Sequence, residues 1–153
     1  MSIRGDLYNF LHERVVSIND QANACFEVEV LDTASEPSEG DFGIMFGDCV
    51  SSVAPNRGAT QMLRFDIETV LVAYVFIGDD EEKRAAKRDR AEAMGLEISL
   101  WFHHDMTMGG RVRNSRAIDL VDDYFEGARG LYAVANIPVR INETGNSDNN
   151  ERQ

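Results

Sequence analysis

The chain has few of the residues that cross-link small proteins through disulfides or bind metals: its 153 residues include only two cysteines and three histidines. Cys25 and Cys49 are too few for a disulfide scaffold or for a four-cysteine zinc site within one chain. The sequence leaves open whether these two cysteines pair. No apolar run approaches the roughly 20 residues that a membrane helix needs. Asp6 stands where a secretory signal would be apolar, so we expect a soluble, non-secreted protein.

Positive charge is also scarce. There are 27 acidic and 15 basic residues, which gives a formal net charge of −12. Such a chain is poorly suited to binding nucleic acid through phosphates, because those contacts need basic side chains. The charges are also separated: residues 15–56 contain acids but no lysine or arginine, whereas arginines cluster in 83–90 and 111–116. This separation predicts acidic and basic surfaces that can pair between copies of the chain.

The length suits one domain, and the spacing of apolar residues predicts two helices. Residues 2–18 place apolar side chains three and four positions apart, which makes one buried stripe. Residues 79–106 begin with acids, as the positive end of a helix dipole favours. The predicted apolar stripe of this second helix comprises Ala93, Leu96, Leu100 and Trp101. Gly95 leaves two options for residues 96–102, which either continue the helix or form a strand.

Alternating apolar residues predict the strands. They are 25–31, 61–77, 116–125 and 131–141, with a short apolar run at 42–46 and loops at 33–41, 54–60 and 107–115. In 61–77 one face is apolar throughout, whereas the other is polar at first and apolar from Val70 onward. One end of this strand should therefore be buried on both sides. Pro138 has no N–H, and so predicts an edge strand or a bulge within 131–141.

The order of these elements predicts an α+β fold. We expect one mostly antiparallel or mixed sheet of four to five strands, with two helices packed on one face. The predicted domain spans residues 1–141. Residues 142–153 are polar, and we expect them to form a tail that is disordered when free.

The sequence contains no recognisable catalytic or cofactor-binding motif. Residues 39–48 hold three glycines, but no Gly-Lys-Ser/Thr follows as a phosphate loop requires. His103, His104 and Asp105 are potential metal ligands, but adjacent side chains on a helix diverge by about 100°. The acids at 119–126 match no EF-hand spacing. We therefore predict no catalytic residue, no metal and no cofactor, and we do not expect an enzyme.

Five segments in a fixed order carry a resemblance to a known family. They are the helix SIRGDLYNFLHERV, the strand run LVAYVFI, the charged helix DDEEKRAAKRDRAEAM and the closing strands RAIDLVDDYF and LYAVANIPVRI. This order resembles the tail terminator proteins of long-tailed bacteriophages. The resemblance covers roughly residues 2–141 and is one of pattern, without a diagnostic motif. It implies an α+β subunit of a hexameric ring that caps the finished tail tube, stops its growth and joins it to the head connector.

The resemblance also implies partners and a location. The partners are further copies in a homohexamer, the tail tube protein and the head–tail connector or neck proteins, with no membrane contact. The location is the tail or neck of the virion, after assembly in the host cytoplasm. DNA is expected to pass through the lumen without specific binding, since a net charge of −12 repels phosphates.

The charge separation supplies a hypothesis for the ring interface. The predicted interface residues are Arg84, Arg88, Arg111, Arg113, Glu36, Glu39 and Asp41. We expect the arginines of one subunit to meet the acids of the next, because a closed ring uses two different complementary patches.

Three other functions fit the sequence, one of them a regulator that interacts with the host and stays monomeric. A head-completion or neck adaptor protein of a phage virion would differ from a terminator in its partners. A small metal-dependent enzyme would use His103, His104 and the acids of 119–126 as ligands.

Overall fold

The computed structural model describes residues 3–19, 30–31, 42–46, 50–55 and 62–146. Its helices are α1 (Ile3–Asn19) and α2 (Arg84–His104), with a short 3-10 turn, Glu81–Lys83, directly before α2. Its strands are β1 (Val30–Leu31), β2 (Phe42–Phe46), β3 (Val50–Pro55), β4 (Met62–Phe76), β5 (Asn114–Ala117), β6 (Val121–Glu126) and β7 (Leu131–Asn146). In the described part of the chain, no helix is long and apolar enough to cross a membrane.

The strands form one sheet around the long antiparallel pair of β4 and β7. Strands β2 and β3 both pair with the other side of β4, and β5 and β6 both pair with the other side of β7. Strand β1 runs parallel to β2. The seven segments therefore occupy five positions in a mostly antiparallel sheet. The predicted α+β fold with a four- to five-stranded sheet is confirmed.

Both helices pack on one side of the sheet, which we call the helix face. The buried side chains there come from α1 (Ile3, Leu7, Phe10, Leu11, Val15), from α2 (Met94, Ile98, Phe102) and from odd-numbered positions of β4 and β7 (Ile67, Leu71, Ala73, Ala135, Ile137, Val139). The rings of Phe10 and Phe102, 5.3 Å apart, connect the two helices. The stripe predicted for the first helix is the one that is buried.

The opposite side of the sheet, the second face, carries the even-numbered residues of β4 and β7. At one end, Tyr74 and Tyr132 are fully buried, with ring centroids 6.0 Å apart. At the other end, Glu68 and Val70 are exposed. The prediction that one end of this strand is buried on both sides and the other on one side is confirmed.

Gly95 does not interrupt α2, so the continuous-helix option is correct. A Cβ atom at this position would lie 2.6 Å from Cδ1 of Leu120 and 2.9 Å from Cβ of Ala135. Real Cβ atoms do not approach other atoms so closely. The glycine therefore allows α2 to pack directly against β7 at this point.

The buried side of α2 differs from the predicted stripe. The buried residues are Ala91, Met94, Gly95, Ile98, Trp101 and Phe102. Of the predicted stripe only Trp101 is buried, whereas Ala93, Leu96 and Leu100 are exposed. Because a helix turns by about 100° per residue, Leu96 and Leu100 each lie about 200° round the helix from Ile98. The helix thus has apolar residues on two opposite sides, and only one of these sides faces the sheet.

Pro138 lies at a bulge inside the sheet, and the edge-strand alternative is wrong. Strands β5 and β6 pair with β7 in registers that differ by one residue, so residues 118–120 face only Ile137 and Pro138. The carbonyl of Pro138 accepts a hydrogen bond from the Ile118 amide at 2.8 Å. The ring nitrogen points to the same side of β7. The backbone N–H that proline lacks would therefore point at residues 118–120, where the neighbouring strand is not regularly paired.

Several predicted boundaries need correction, among them the loop 107–115, whose last two residues belong to β5. The predicted strand 116–125 is divided into β5 and β6 by the bulge. Strand β7 continues to Asn146 opposite β4, so the predicted polar tail, 142–153, begins as strand; residues 147–153 lie outside the described part. Strand β3 overlaps the start of the predicted loop 54–60. Three further predictions fall outside the described residues: most of the strand 25–31, the loop 33–41 and both cysteines.

Candidate assembly surfaces

Two of the predicted interface arginines lie on one aromatic ring near the start of α2. The guanidinium carbons of Arg84 and Arg88 are 4.5 Å and 5.6 Å from the ring centroid of Tyr124. Tyr124 comes from β6 and packs at the border of the core on the helix face. The same side chains line a cavity of about 400 Å³ together with Glu81 and Asp89. This end of α2 is therefore a mixed surface of arginines and carboxylates held by a tyrosine.

The other two predicted arginines follow the end of α2. Arg111 donates to the carboxylate of Glu13 on α1 and, at 3.0 Å, to the carbonyl of Met108. Arg113 is exposed, and in the described ranges it has no ion-pair partner. Because Arg111 already has partners in its own chain, Arg113 is the arginine of this pair that remains exposed.

The predicted interface residues do not form one patch. The 21 residues of α2 span about 31 Å, and the two arginine pairs lie at its opposite ends. The structure brings Arg84 and Arg88 together, and places Arg111 and Arg113 on a separate loop. Glu36, Glu39 and Asp41 lie outside the described residues.

Asp105 fastens the loop that follows α2. Its carboxylate accepts hydrogen bonds from the Gly109 amide at 2.9 Å, the Thr107 hydroxyl at 3.1 Å and the Arg14 guanidinium at 3.2 Å. Burial acts to raise the pKa of Asp105, but these donors together outweigh burial and hold the pKa below its ordinary value. Gly109, at φ 71°, adopts the left-handed conformation that its position in the turn requires. Asp105 thus ties this loop to α1.

The potential metal ligands do not converge. His103 and His104 are exposed side by side at the end of α2, with ring centroids 5.6 Å apart. Asp105 is occupied by the loop contacts. Among the residues that the structure describes, no three histidine, cysteine, aspartate or glutamate side chains are grouped to hold a metal ion. These residues give the metal-dependent alternative no ligand set.

A surface that the sequence analysis did not single out lies on the second face of the sheet. Glu68, Arg140 and Arg116 form one row across β4, β7 and β5. The Nε atom of Arg140 donates to Oε1 of Glu68 at 3.0 Å. Arg116 stands directly opposite Arg140, is exposed and has no ion-pair partner in the described part of the chain. The row therefore has two arginines and one glutamate, which leaves one positive charge in excess. Two like charges directly opposite each other are unfavourable.

Exposed apolar side chains lie beside this charged row. Val70 is 45% exposed and Val121 is 56% exposed, and both project from the second face near Pro138. Phe125, further along β6, is 40% exposed and packs against the ring of Tyr132. Apolar side chains bordered by arginines and carboxylates are typical of surfaces that bind other proteins. The alternation in β4 and β7 is the sequence signal that could have identified these residues.

No protein-family model matches this chain, and no curated protein matches it. The function is therefore inferred from the pattern of the sequence and from the surfaces described above.

Proposed function

We propose that this protein is a structural subunit of a phage virion that assembles into a ring at the end of the tail tube, as tail terminators do. The observation that carries the proposal is the second face of the sheet. There, exposed Val70 and Val121 adjoin the row of Glu68, Arg140 and Arg116. The domain has a closed core on the helix face, so these residues are not needed for that core. Their exposure is explained if another protein covers them.

A ring places specific demands on its subunit. Each subunit must present two different surfaces that fit each other, and rotation must return the last subunit to the first. The second face carries an arginine in excess, whereas the surface at the start of α2 carries four carboxylates (Glu81, Glu82, Asp89 and Glu92) beside two arginines. They supply the two kinds of surface that a ring of six copies requires. Arg88 and Arg113 are the predicted interface arginines that we expect to contribute.

In this role the protein acts by binding. Its partners are copies of itself, the tail tube protein and the neck proteins, in a virion assembled in the host cytoplasm. It uses no cofactor and carries out no reaction. The net charge of −12 suits a ring through which DNA passes without adhering, because acidic walls repel phosphates.

The first experiment measures the mass of the purified protein by light scattering behind a sizing column, at two concentrations and two salt levels. We expect a mass near six times the 17.1 kDa of one chain, or a shift toward it as concentration rises. The second adds the protein to growing tail tubes and measures tube length by electron microscopy. The expected result is shorter, uniform tubes with a ring at one end.

Two controls make these experiments specific. Arg113→Glu should weaken the ring, whereas Arg111→Glu should destabilise the loop, because Arg111 already pairs with Glu13. Tubes with the same lengths and ends in the presence and absence of the protein would refute the terminator function. Binding to the head connector but not to tube ends would indicate the neck adaptor instead.

A further inference from the structure

The side of α2 that faces away from the sheet carries a regular row of exposed residues. Asp89, Ala93, Leu96, Leu100 and His103 follow each other at spacings of four, three, four and three. All five are exposed, with Leu96 at 52% and Leu100 at 45%. This spacing is the one by which helices pack in coiled coils. The row is therefore shaped to receive another helix rather than the domain's own sheet.

The row is complementary to itself in the antiparallel direction. If a two-fold axis passes beside Leu96, this residue meets its own copy, and Ala93 meets Leu100. A small residue then faces a large one in both halves of the contact, as close packing requires. Asp89 meets His103, whose imidazole N–H can donate to the carboxylate. A parallel pair would instead place Asp89 beside Asp89, which is unfavourable.

Carboxylates flank the apolar centre of the row. Glu92 and Glu97 lie on either side of the two leucines, at about 40° and 60° from them around the helix. Glu97 already accepts a hydrogen bond from the Trp101 indole at 3.3 Å, which holds it beside the row. No lysine or arginine occurs between Arg90 and His104. The apolar centre is therefore bordered by carboxylates, and His103 at one end is the residue that can partner a carboxylate of the second copy.

We propose that α2 docks antiparallel on α2 of a second copy of this chain, with Leu96 on the two-fold axis. The row from Asp89 to His103 is about 21 Å long, so the contact is small and its affinity should be modest. This pairing goes beyond the ring, because a two-fold contact joins two subunits face to face instead of head to tail. It requires neither the tail tube nor the neck proteins.

Cysteine cross-linking tests the geometry directly, in a background where Cys25 and Cys49 are replaced by serine. Leu96→Cys places the thiol on the axis, and mild oxidation should convert most of the protein to a disulfide dimer on a non-reducing gel. Leu100→Cys is the matched control, since it is similarly exposed but faces Ala93 of the partner. Alone it should cross-link poorly; mixed with Ala93→Cys chains it should give a mixed dimer.

A second measurement uses the chain with its native cysteines. Leu96→Asp should weaken pairing at least tenfold in sedimentation equilibrium, whereas Ala86→Asp, exposed on the same helix but about 80° round it from Leu96, should leave it unchanged. The proposal is overturned if Leu100→Cys alone cross-links as well as Leu96→Cys, if neither combination cross-links, or if Leu96→Asp pairs like the unaltered chain. Ring formation is scored separately by mass. If the protein forms a ring but Leu96→Cys does not cross-link, the α2 pairing is wrong and the ring proposal stands. If Leu96→Cys cross-links but no ring forms, the ring proposal is wrong and the α2 pairing stands.

Discussion

Gly95→Ala sets two opposing effects against each other at the closest approach of α2 to the sheet. In an exposed helix, replacing glycine by alanine stabilises the folded state by about 0.8–1 kcal/mol, because alanine loses less backbone entropy. At position 95 the added methyl would lie 2.6 Å from Cδ1 of Leu120 and 2.9 Å from Cβ of Ala135. Overpacking of this kind usually costs about 1–3 kcal/mol.

The two contacts differ in how easily they can be relieved. Leu120 is half-buried at the bulge, and the end of its side chain can rotate. The Cβ of Ala135 is fixed to the backbone of β7, a fully buried interior strand position. The helix must therefore move away from the sheet by a few tenths of an ångström. Subtracting the gain from the cost gives a net destabilisation of about 0–2 kcal/mol.

Urea unfolding followed by far-UV circular dichroism measures this difference. The matched control is Ala86→Gly, an exposed position on the same helix outside the Asp89–His103 row, which should lose up to about 1 kcal/mol from helix propensity alone. For a domain of this size, 1 kcal/mol corresponds to about 2–4 °C in melting temperature. If Gly95→Ala raised stability by about 1 kcal/mol, the close approach would carry no cost and this account of Gly95 would be refuted.

Two further substitutions test contacts that the structure places at the ends of α2. Asp105→Asn should cost about 1–3 kcal/mol at pH 7, since it weakens charged hydrogen bonds. Because the pKa of Asp105 is held below its ordinary value, this stabilisation is present above about pH 4 and is lost as the pH falls through the folded-state pKa. Urea unfolding between pH 7 and pH 3 should show the free energies of unfolding of the unaltered protein and of Asp105→Asn converging as the pH falls. A difference that stays constant with pH would contradict this role of Asp105. Tyr124→Leu should lower the free energy of unfolding by about 1–2 kcal/mol, because the contacts of the ring with Arg84 and Arg88 are lost. Tyr124→Phe keeps the ring and should leave the free energy of unfolding unchanged. Equal losses in the two variants would show that the ring does not stabilise the arginines.

The long strand β4 shows which part of the fold could be predicted from the sequence. Its alternation records the environment of each face separately, so the apolar run from Val70 onward indicated which end of the second face is buried, although burial begins only after Val70 and is complete at Tyr74. The first helix was equally predictable, because its apolar residues lie on a single side. In both cases the buried residues are large and apolar, and their spacing matches one geometry only.

The end of β7 and the bulge show what the sequence does not contain. Residues 142–146 are polar and lack the alternation of a strand, yet they pair with the first residues of β4. This pairing depends on the backbone of a distant segment, which local composition does not report. Pro138 signalled an interruption in the ladder, but proline restricts only its own strand. The interruption lies in the neighbouring strand at residues 118–120, which the pattern did not identify.

The error on α2 has a physical cause that bears on function. Apolar residues lie on two sides of this helix, Leu96 and Leu100 on one and Met94, Ile98 and Phe102 on the other, so periodicity alone does not decide which side is buried. Packing favours the side of Ile98, because small residues allow α2 to approach β7 closely. Two leucines one turn apart then remain in water, where covering each would gain roughly 1 kcal/mol or more. The exposed leucines that the pattern assigned to the core are thus the ones that the proposed α2–α2 contact would cover.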